Sequence, residues 1–178
     1  MKKFFMTAMV ALAFVAAPSV TAQDFNVDKS PMDQAAFPSN YKESNKLVKV
    51  TYSRPQLKER ELSKLAPDGK VWRLGANEAA EITLYKDMKL GTTPVKAGTY
   101  TMYAMPNGAE WTIILSSDLN VWGSYFYKEA NDVARITVPV TQADESIEYF
   151  GMEFTPVDQG AHLHMAWGNA RVEVPFYN

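Results

Sequence analysis

Gly98-Thr99-Tyr100-Thr101-Met102-Tyr103-Ala104-Met105-Pro106-Asn107-Gly108-Ala109-Glu110-Trp111-Thr112-Ile113-Ile114-Leu115 is the stretch that decides the fold class. Its first arm is crowded with Thr and Tyr, residues that suit a pleated, half-buried surface better than a helix. Pro106-Asn107-Gly108 is a turn signal, because proline presets φ while Asn and Gly tolerate left-handed backbone. Trp111 to Leu115 then folds back as the second strand of a hairpin.

Working outward, the same signals recur at short intervals. Leu47 to Tyr52 alternates with period two and ends at Arg54-Pro55. Short strands are expected at Val71–Leu74 and Ala80–Tyr85, with a small hairpin about Gly91-Thr92-Thr93. Val133–Val140, Ser146–Phe154, Ala161–Trp167 and Arg171–Phe176 follow, the last two separated by a tight turn at Gly168-Asn169. Ile136-Thr137-Val138 and Val172-Glu173-Val174 alternate apolar and polar, as a sheet with one wet face requires. The only helical pattern is Leu57, Leu62 and Leu65 among charges, which predicts one short helix within 56–65. No long 3.6-residue periodicity separates the strands, so crossover helices and a parallel sheet are not expected. The fold class is all-β: a two-sheet antiparallel sandwich, jelly-roll-like, of about eight to ten strands. A partly closed barrel is the alternative.

The N-terminus reads as an export signal. Lys2 and Lys3 precede an apolar run from Phe4 to Ala17, Pro18 breaks it, and Val20-Thr21-Ala22 offers small residues for cleavage. The run is short for a permanent anchor. Residues 1–22 are therefore expected to be a signal peptide, 23–45 an extended or poorly ordered arm, and 46–178 one domain. The expected location is the periplasm or the exterior, after cleavage near Ala22.

Composition removes several classes of function. There is no cysteine among the 178 residues, hence no lipidated or catalytic thiol, disulfide framework or cysteine metal site. The formal charge is −2 and becomes more negative without Lys2 and Lys3, so no basic footprint for nucleic acid is present. Hydrolase, phosphate-loop and dinucleotide motifs are absent, and no cofactor is expected.

Three segments carry side chains suited to chemistry. Val71 to Glu78 places Trp72, Arg73, Asn77 and Glu78 in a strand and loop that can bind a sugar or an organic acid. Trp would stack on the ligand, Arg would take the anionic or hydroxyl group, and Asn and Glu would serve as donor and acceptor. The same set fits a buried Trp beside an Arg–Glu pair that pins two loops. Asp118 to Tyr127 is an aromatic-rich connection in which Trp122, Tyr125 and Tyr127 can form a wall or simply cap the core. His162 and His164 share one strand face, where zinc would need a third ligand such as Glu148 or Glu153. Two histidines on a wet face are more often plain surface residues, and no metal site is assigned. Glu78 and Glu81 are close in sequence, and their separation in space would decide whether they act as a carboxylate pair.

Several of these residues also carry a resemblance. Ser53-Arg54-Pro55, Gly69-Lys70-Val71-Trp72-Arg73 with Gly75-Ala76-Asn77-Glu78, Ala97-Gly98-Thr99-Tyr100, Glu110-Trp111-Thr112-Ile113-Ile114, Asn120 with Trp122-Gly123, and Val172-Glu173-Val174-Pro175 resemble a secreted bacterial family known as domain of unknown function 2911, common in Bacteroidetes-type genomes. The likeness runs from about Lys46 to Phe176. It implies export and the β-rich fold, and it implies no activity. It draws attention to Arg54, Trp72, Arg73, Asn77, Glu78, Asn120 and Trp122, which with Tyr125 of the aromatic loop are the candidate ligand-binding residues; His162 and His164 lie outside the pattern.

The leading expectation is a binding module for a small polar ligand or glycan. An envelope hydrolase or lyase using Glu78 as acid or base is the second reading. A structural partner of another envelope protein, joined through the arm, is the third.

Overall fold

The computed structural model describes residues 23–178, so the expected signal peptide lies outside the described residues. Among the described residues there are nine strands: β1 (Met32–Phe37), β2 (Val48–Ser53), β3 (Ala80–Leu84), β4 (Met88–Leu90), β5 (Thr93–Val95), β6 (Gly98–Asn107), β7 (Glu110–Ser116), β8 (Asp132–Val157) and β9 (Gly160–Tyr177). Every pairing is antiparallel. The order is β1-β2-β3-β6-β7-β8-β9-β4-β5. No helix among the described residues is long and apolar enough to cross a membrane.

The all-β antiparallel class holds, and the hydrogen bonding records one continuous sheet where two separate sheets were expected. The reason is β8. Its first part pairs with β7 and its later part with β9, with register shifts between Gln142 and Ile147 and between Ile147 and Gly151. Such irregularities bend a strand and raise its twist. The ladder then comes round to meet itself: Gln56 bridges Tyr149, Leu57 N–H donates to the Glu148 carbonyl at 3.0 Å, and Phe150 N–H to the Pro55 carbonyl at 3.0 Å.

β9 bends further still. A Cβ on Gly160 would lie 2.1 Å from the Phe176 carbonyl oxygen, and Asn178 N–H donates to the Gln159 carbonyl at 2.8 Å. In a straight strand, at about 3.3 Å per residue, Gly160 and Phe176 would be roughly 50 Å apart. The extended run must therefore reverse, and it does so at Gly168, whose φ is 55°. Asn169 Nδ2 donates to the Ala143 carbonyl at 2.7 Å and lashes that tip to β8.

The sheet wraps one core. Val48 and Val50 of β2, Ile82 and Leu84 of β3, Met102 and Ala104 of β6, and Ile113 and Leu115 of β7 all face inward. The β6–β7 hairpin pairs Met102 with Leu115 and Pro106 with Trp111, as its alternation predicts. Fully burying each large apolar side chain contributes about 1.5–3 kcal/mol. One end of this core is aromatic. Trp72 stacks on Trp167 (centroids 5.4 Å, planes 18° apart) and meets Trp111 (5.8 Å) and Phe150 (5.2 Å) edge-on.

Two expected elements are shorter than read. The helix within 56–65 is only α1 (Leu62–Leu65), because Lys58 (φ 49°) and Glu59 (φ 61°) adopt left-handed backbone that a helix cannot contain. The strand at Val71–Leu74 shrinks to a single bridge between Trp72 and Ala104, since Leu74 (φ 52°) turns the chain away.

Candidate functional site

Gly75 lies against β2: a Cβ there would sit 2.9 Å from the Ser53 carbonyl oxygen. That close approach folds Val71–Glu78 onto the sheet. The loop following β7 closes over it. Ala79 N–H donates to the Val121 carbonyl (3.0 Å), Gly123 N–H to the Asn77 carbonyl (3.0 Å), and Ser124 Oγ to the Val71 carbonyl (2.8 Å). Glu78 and Trp122 form the bridge between the two loops. At the base of the second loop, Tyr127 OH donates to Asp132 Oδ2 (2.8 Å), and Thr101 Oγ1 to the Asp118 carbonyl (2.6 Å). The two loops thus form one short ribbon with a cleft on either side.

The first cleft, about 240 Å³, is cationic. Lys58, Arg60 and Arg73 line it with Gln56, Asn77 and Ser30, and Trp72 and Trp167 lie at its floor. Among the described residues none of these three cations has a carboxylate within ion-pair distance. Arg73 Nε is buried without a hydrogen-bond partner, an arrangement that costs about 1–3 kcal/mol for a polar group. Arg60 is aimed by its own turn: Nε donates to the Leu57 carbonyl (2.8 Å) and Nη2 to the Gln56 carbonyl (2.9 Å). These bonds leave other guanidinium N–H groups free. Lys58 N–H donates to Glu148 Oε1 of β8 at 2.8 Å.

Strained backbone gathers here. Lys58, Glu59, Leu74, Asn77 and Asn120 have positive φ, and Gln159 is the one other such non-glycine residue among those described. Strain of this kind costs about 1–3 kcal/mol per residue and clusters at ligand clamps. The arm reaches the rim of the cleft. Asp28 accepts a hydrogen bond from Ser30 N–H (2.6 Å), and this bond first, with the nearby Asn77 amide second, holds its carboxyl below the usual range. Gln56 Nε2 donates to the Lys29 carbonyl at 3.1 Å.

The second cleft, about 270 Å³, lies on the other side of the ribbon. Glu78, Glu81, Asn120 and Tyr52 line it. Glu81 Oε1 accepts from Asn120 N–H (2.8 Å), whereas the Glu78 side chain is exposed.

The eight candidate residues therefore divide. Trp72, Arg73 and Asn77 belong to the cationic cleft, and Glu78 and Asn120 to the acidic one. Trp72 is only 6% exposed, so it offers a ring edge and no open stacking face. Trp122 (55% exposed) and Tyr125 (75%) stand outside both clefts beside exposed Phe126. Arg54 lies over the Tyr149 ring (5.6 Å) and pairs with Asp33 (3.5 Å). No Arg73–Glu78 ion pair forms. Lys58, Arg60 and Ser30 are site residues that sequence reasoning missed. In the sequence the alternating charges of Lys58-Glu59-Arg60-Glu61 belong to the charged face of the expected helix, and no motif marks them.

His162 and His164 both face Glu173. His162 Nδ1 lies 2.5 Å from Glu173 Oε1, and His164 Nε2 lies 2.7 Å from Thr155 Oγ1. Among the described residues no group of three or more His, Asp or Glu is arranged to hold a metal ion.

A family model described as Protein of unknown function (DUF2911) matches residues 30–176. The match takes in both loops, both clefts and β1, and the chain belongs to that family. No curated protein and no solved structure matches the chain.

Proposed function

We propose that this member of the DUF2911 family is an exported binding module whose small polar ligand carries an anionic group, held in the Lys58–Arg60–Arg73 cleft. The observation that carries the reading is that three cations line one small cleft without a carboxylate partner among the described residues. Like charges held together are costly, and an anion offsets that cost with charge-assisted hydrogen bonds. Buried Arg73 Nε and the strained loop that presents it support the same reading. Export rests on the N-terminal pattern of residues 1–22 and places the module in the periplasm or outside the cell. In the same reading the halves of the coiled sheet face each other across the aromatic core as the layers of a sandwich, with β8 crossing between them.

The test is thermal unfolding in acetate, inorganic phosphate and glucuronic acid. A ligand at a hundred times its Kd stabilises by about 2.7 kcal/mol, which moves the midpoint by several degrees. A shift in the wild type that is lost in Arg73→Ala supports the reading. No shift with any anion refutes it.

A second reading has one observation in its favour: Glu78 and Glu81 line a single cleft with Tyr52, as an acid–base pair would need. Glu78→Gln would then abolish turnover of a glycan substrate and leave stability unchanged. Addition of the arm to another protein's sheet is less favoured, because β1 is already paired with β2.

A further inference from the structure

Arg60 lines not one cleft but two. On its other side lies a larger hollow of about 440 Å³, between α1, the β6–β7 turn and the reversal of β9. Arg60 is the only cation on its walls among the described residues. The remaining polar groups are the carboxylates of Glu61 and Asp68 and the neutral side chains Gln142, Ser146, Asn169 and Ser63. Its floor is Trp111, which touches Trp72 edge-on at 5.8 Å; Trp72 in turn stacks on Trp167 under the cationic cleft. The linings of the two hollows are therefore joined through this chain of aromatic contacts.

The two hollows ask for different chemistry. The smaller one suits a negative charge and, at about 240 Å³, falls below the usual range of about 300–1,000 Å³ for a small-molecule site. A bare anion would leave the larger hollow unfilled. There, Gln142, Ser146 and Asn169 offer donors and acceptors together, which is what hydroxyl groups require. Glu61 and Asp68 repel a second negative group, so the charge is confined to one end of the ligand. Trp111 is 4% exposed and presents no open ring face, which argues against a stacked base or an aromatic side chain. A polyhydroxylated body with an acid at one end meets all these conditions.

We propose that the ligand is a saccharide bearing one anionic group, its acid in the Lys58–Arg73 cleft and its hydroxylated body over Trp111, with Arg60 between them. This inference rests on the anion-site reading above and deepens it. The test follows calorimetry and tryptophan fluorescence during titration with glucuronic acid, glucose 6-phosphate, glucose, acetate and inorganic phosphate. The protein is taken as wild type, as Arg73→Ala and as the double variant Gln142→Ala/Ser146→Ala, with thermal melts to establish that each is folded. The expected result is that one of the two sugar acids binds at least about tenfold tighter than its bare anion. The acid that wins identifies a carboxylate or a phosphate ligand. The double variant then falls to the level of the bare anion, and Arg73→Ala loses both. Equal binding of sugar acid and bare anion overturns the saccharide inference and leaves the anion site standing. Glucose binding as tightly as the sugar acids overturns the assignment of the charge to Arg73. No binding of any anion overturns both.

Discussion

Gly123 N–H donates to the Asn77 carbonyl at 3.0 Å, and that bond joins two loops more than forty positions apart into one wall. Asn77 on this wall faces the cationic cleft, and its neighbour Glu78 faces the acidic one. The chemistry of the molecule is divided along this seam. A cleft lined by cations and a cleft lined by carboxylates lie back to back, and Leu74 and Asn77 between them have positive φ.

Arg73 separates a ligand site from a structural pin. Its buried Nε lacks a partner, so the guanidinium contributes little net stability to the unliganded fold. Replacing it by the similarly shaped, uncharged side chain in Arg73→Met should change unfolding free energy by less than about 1 kcal/mol, or raise it. The same change should remove anion binding. Urea unfolding beside an anion titration checks both halves.

Asp28 brings a carboxylate to the rim of the cationic cleft, near the Asn77 amide and two residues from Ser30 in its lining. Because its carboxyl is held below the usual range, it is charged throughout the neutral range. Asp28→Asn should therefore tighten anion binding by about two- to fivefold at low salt, and the gain should fade as salt screens the cleft. Titrations at two ionic strengths measure this.

Tyr52 sets a limit at alkaline pH. Its hydroxyl accepts Met152 N–H at 2.9 Å, and burial, the largest cause, pushes its pKa up to about 12. Burial likewise raises Tyr103 and Tyr127 to about 12. Between the unfolded value near 10 and the folded value near 12, the unfolded chain releases these protons and the folded chain keeps them. Stability should thus be full below pH 10 and fall as pH rises towards 12. Tyr52→Phe should soften that fall and cost about 1 kcal/mol at pH 7, where Met152 N–H loses its acceptor. Unfolding curves from pH 7 to 11.5 read both effects.

Gly160 tests the reversal of β9. Any side chain there collides with the Phe176 carbonyl, which is backbone and cannot swing aside. Gly160→Ala should cost about 1–3 kcal/mol through backbone displacement, seen as a lower urea midpoint with unchanged steepness. An unchanged midpoint would mean that β9 does not fold back at Gly168.

Where local chemistry governs the structure, the sequence was a good guide. The Thr- and Tyr-rich arm and Pro106-Asn107-Gly108 mark the β6–β7 hairpin locally, and Gly168-Asn169 marks a reversal that the continuous extended backbone of β9 would otherwise conceal. Lys58 and Arg60 show where such reading stops. Leu57, Leu62 and Leu65 keep helical spacing, yet Glu148, ninety positions away, takes Lys58 N–H and the segment turns left-handed. Nothing within 56–65 announces that partner, so the two cations looked like a solvated helix face. Burial of Trp72 is one of the two readings its segment allows, and it holds; the partners that bury it, Trp111 and Trp167, come from distant strands and are not legible locally. The continuity of the sheet likewise depends on the bends of β8, which are tertiary in origin.

The most direct test of the anion cleft is the unfolding midpoint of wild type and Arg73→Met, with and without millimolar glucuronic acid or inorganic phosphate. The account predicts that Arg73→Met melts no lower than the wild type without ligand, and that at least one anion raises the midpoint by several degrees in the wild type alone. A lowered midpoint for Arg73→Met without ligand, together with no rise in the wild type, would contradict it and make Arg73 a structural pin.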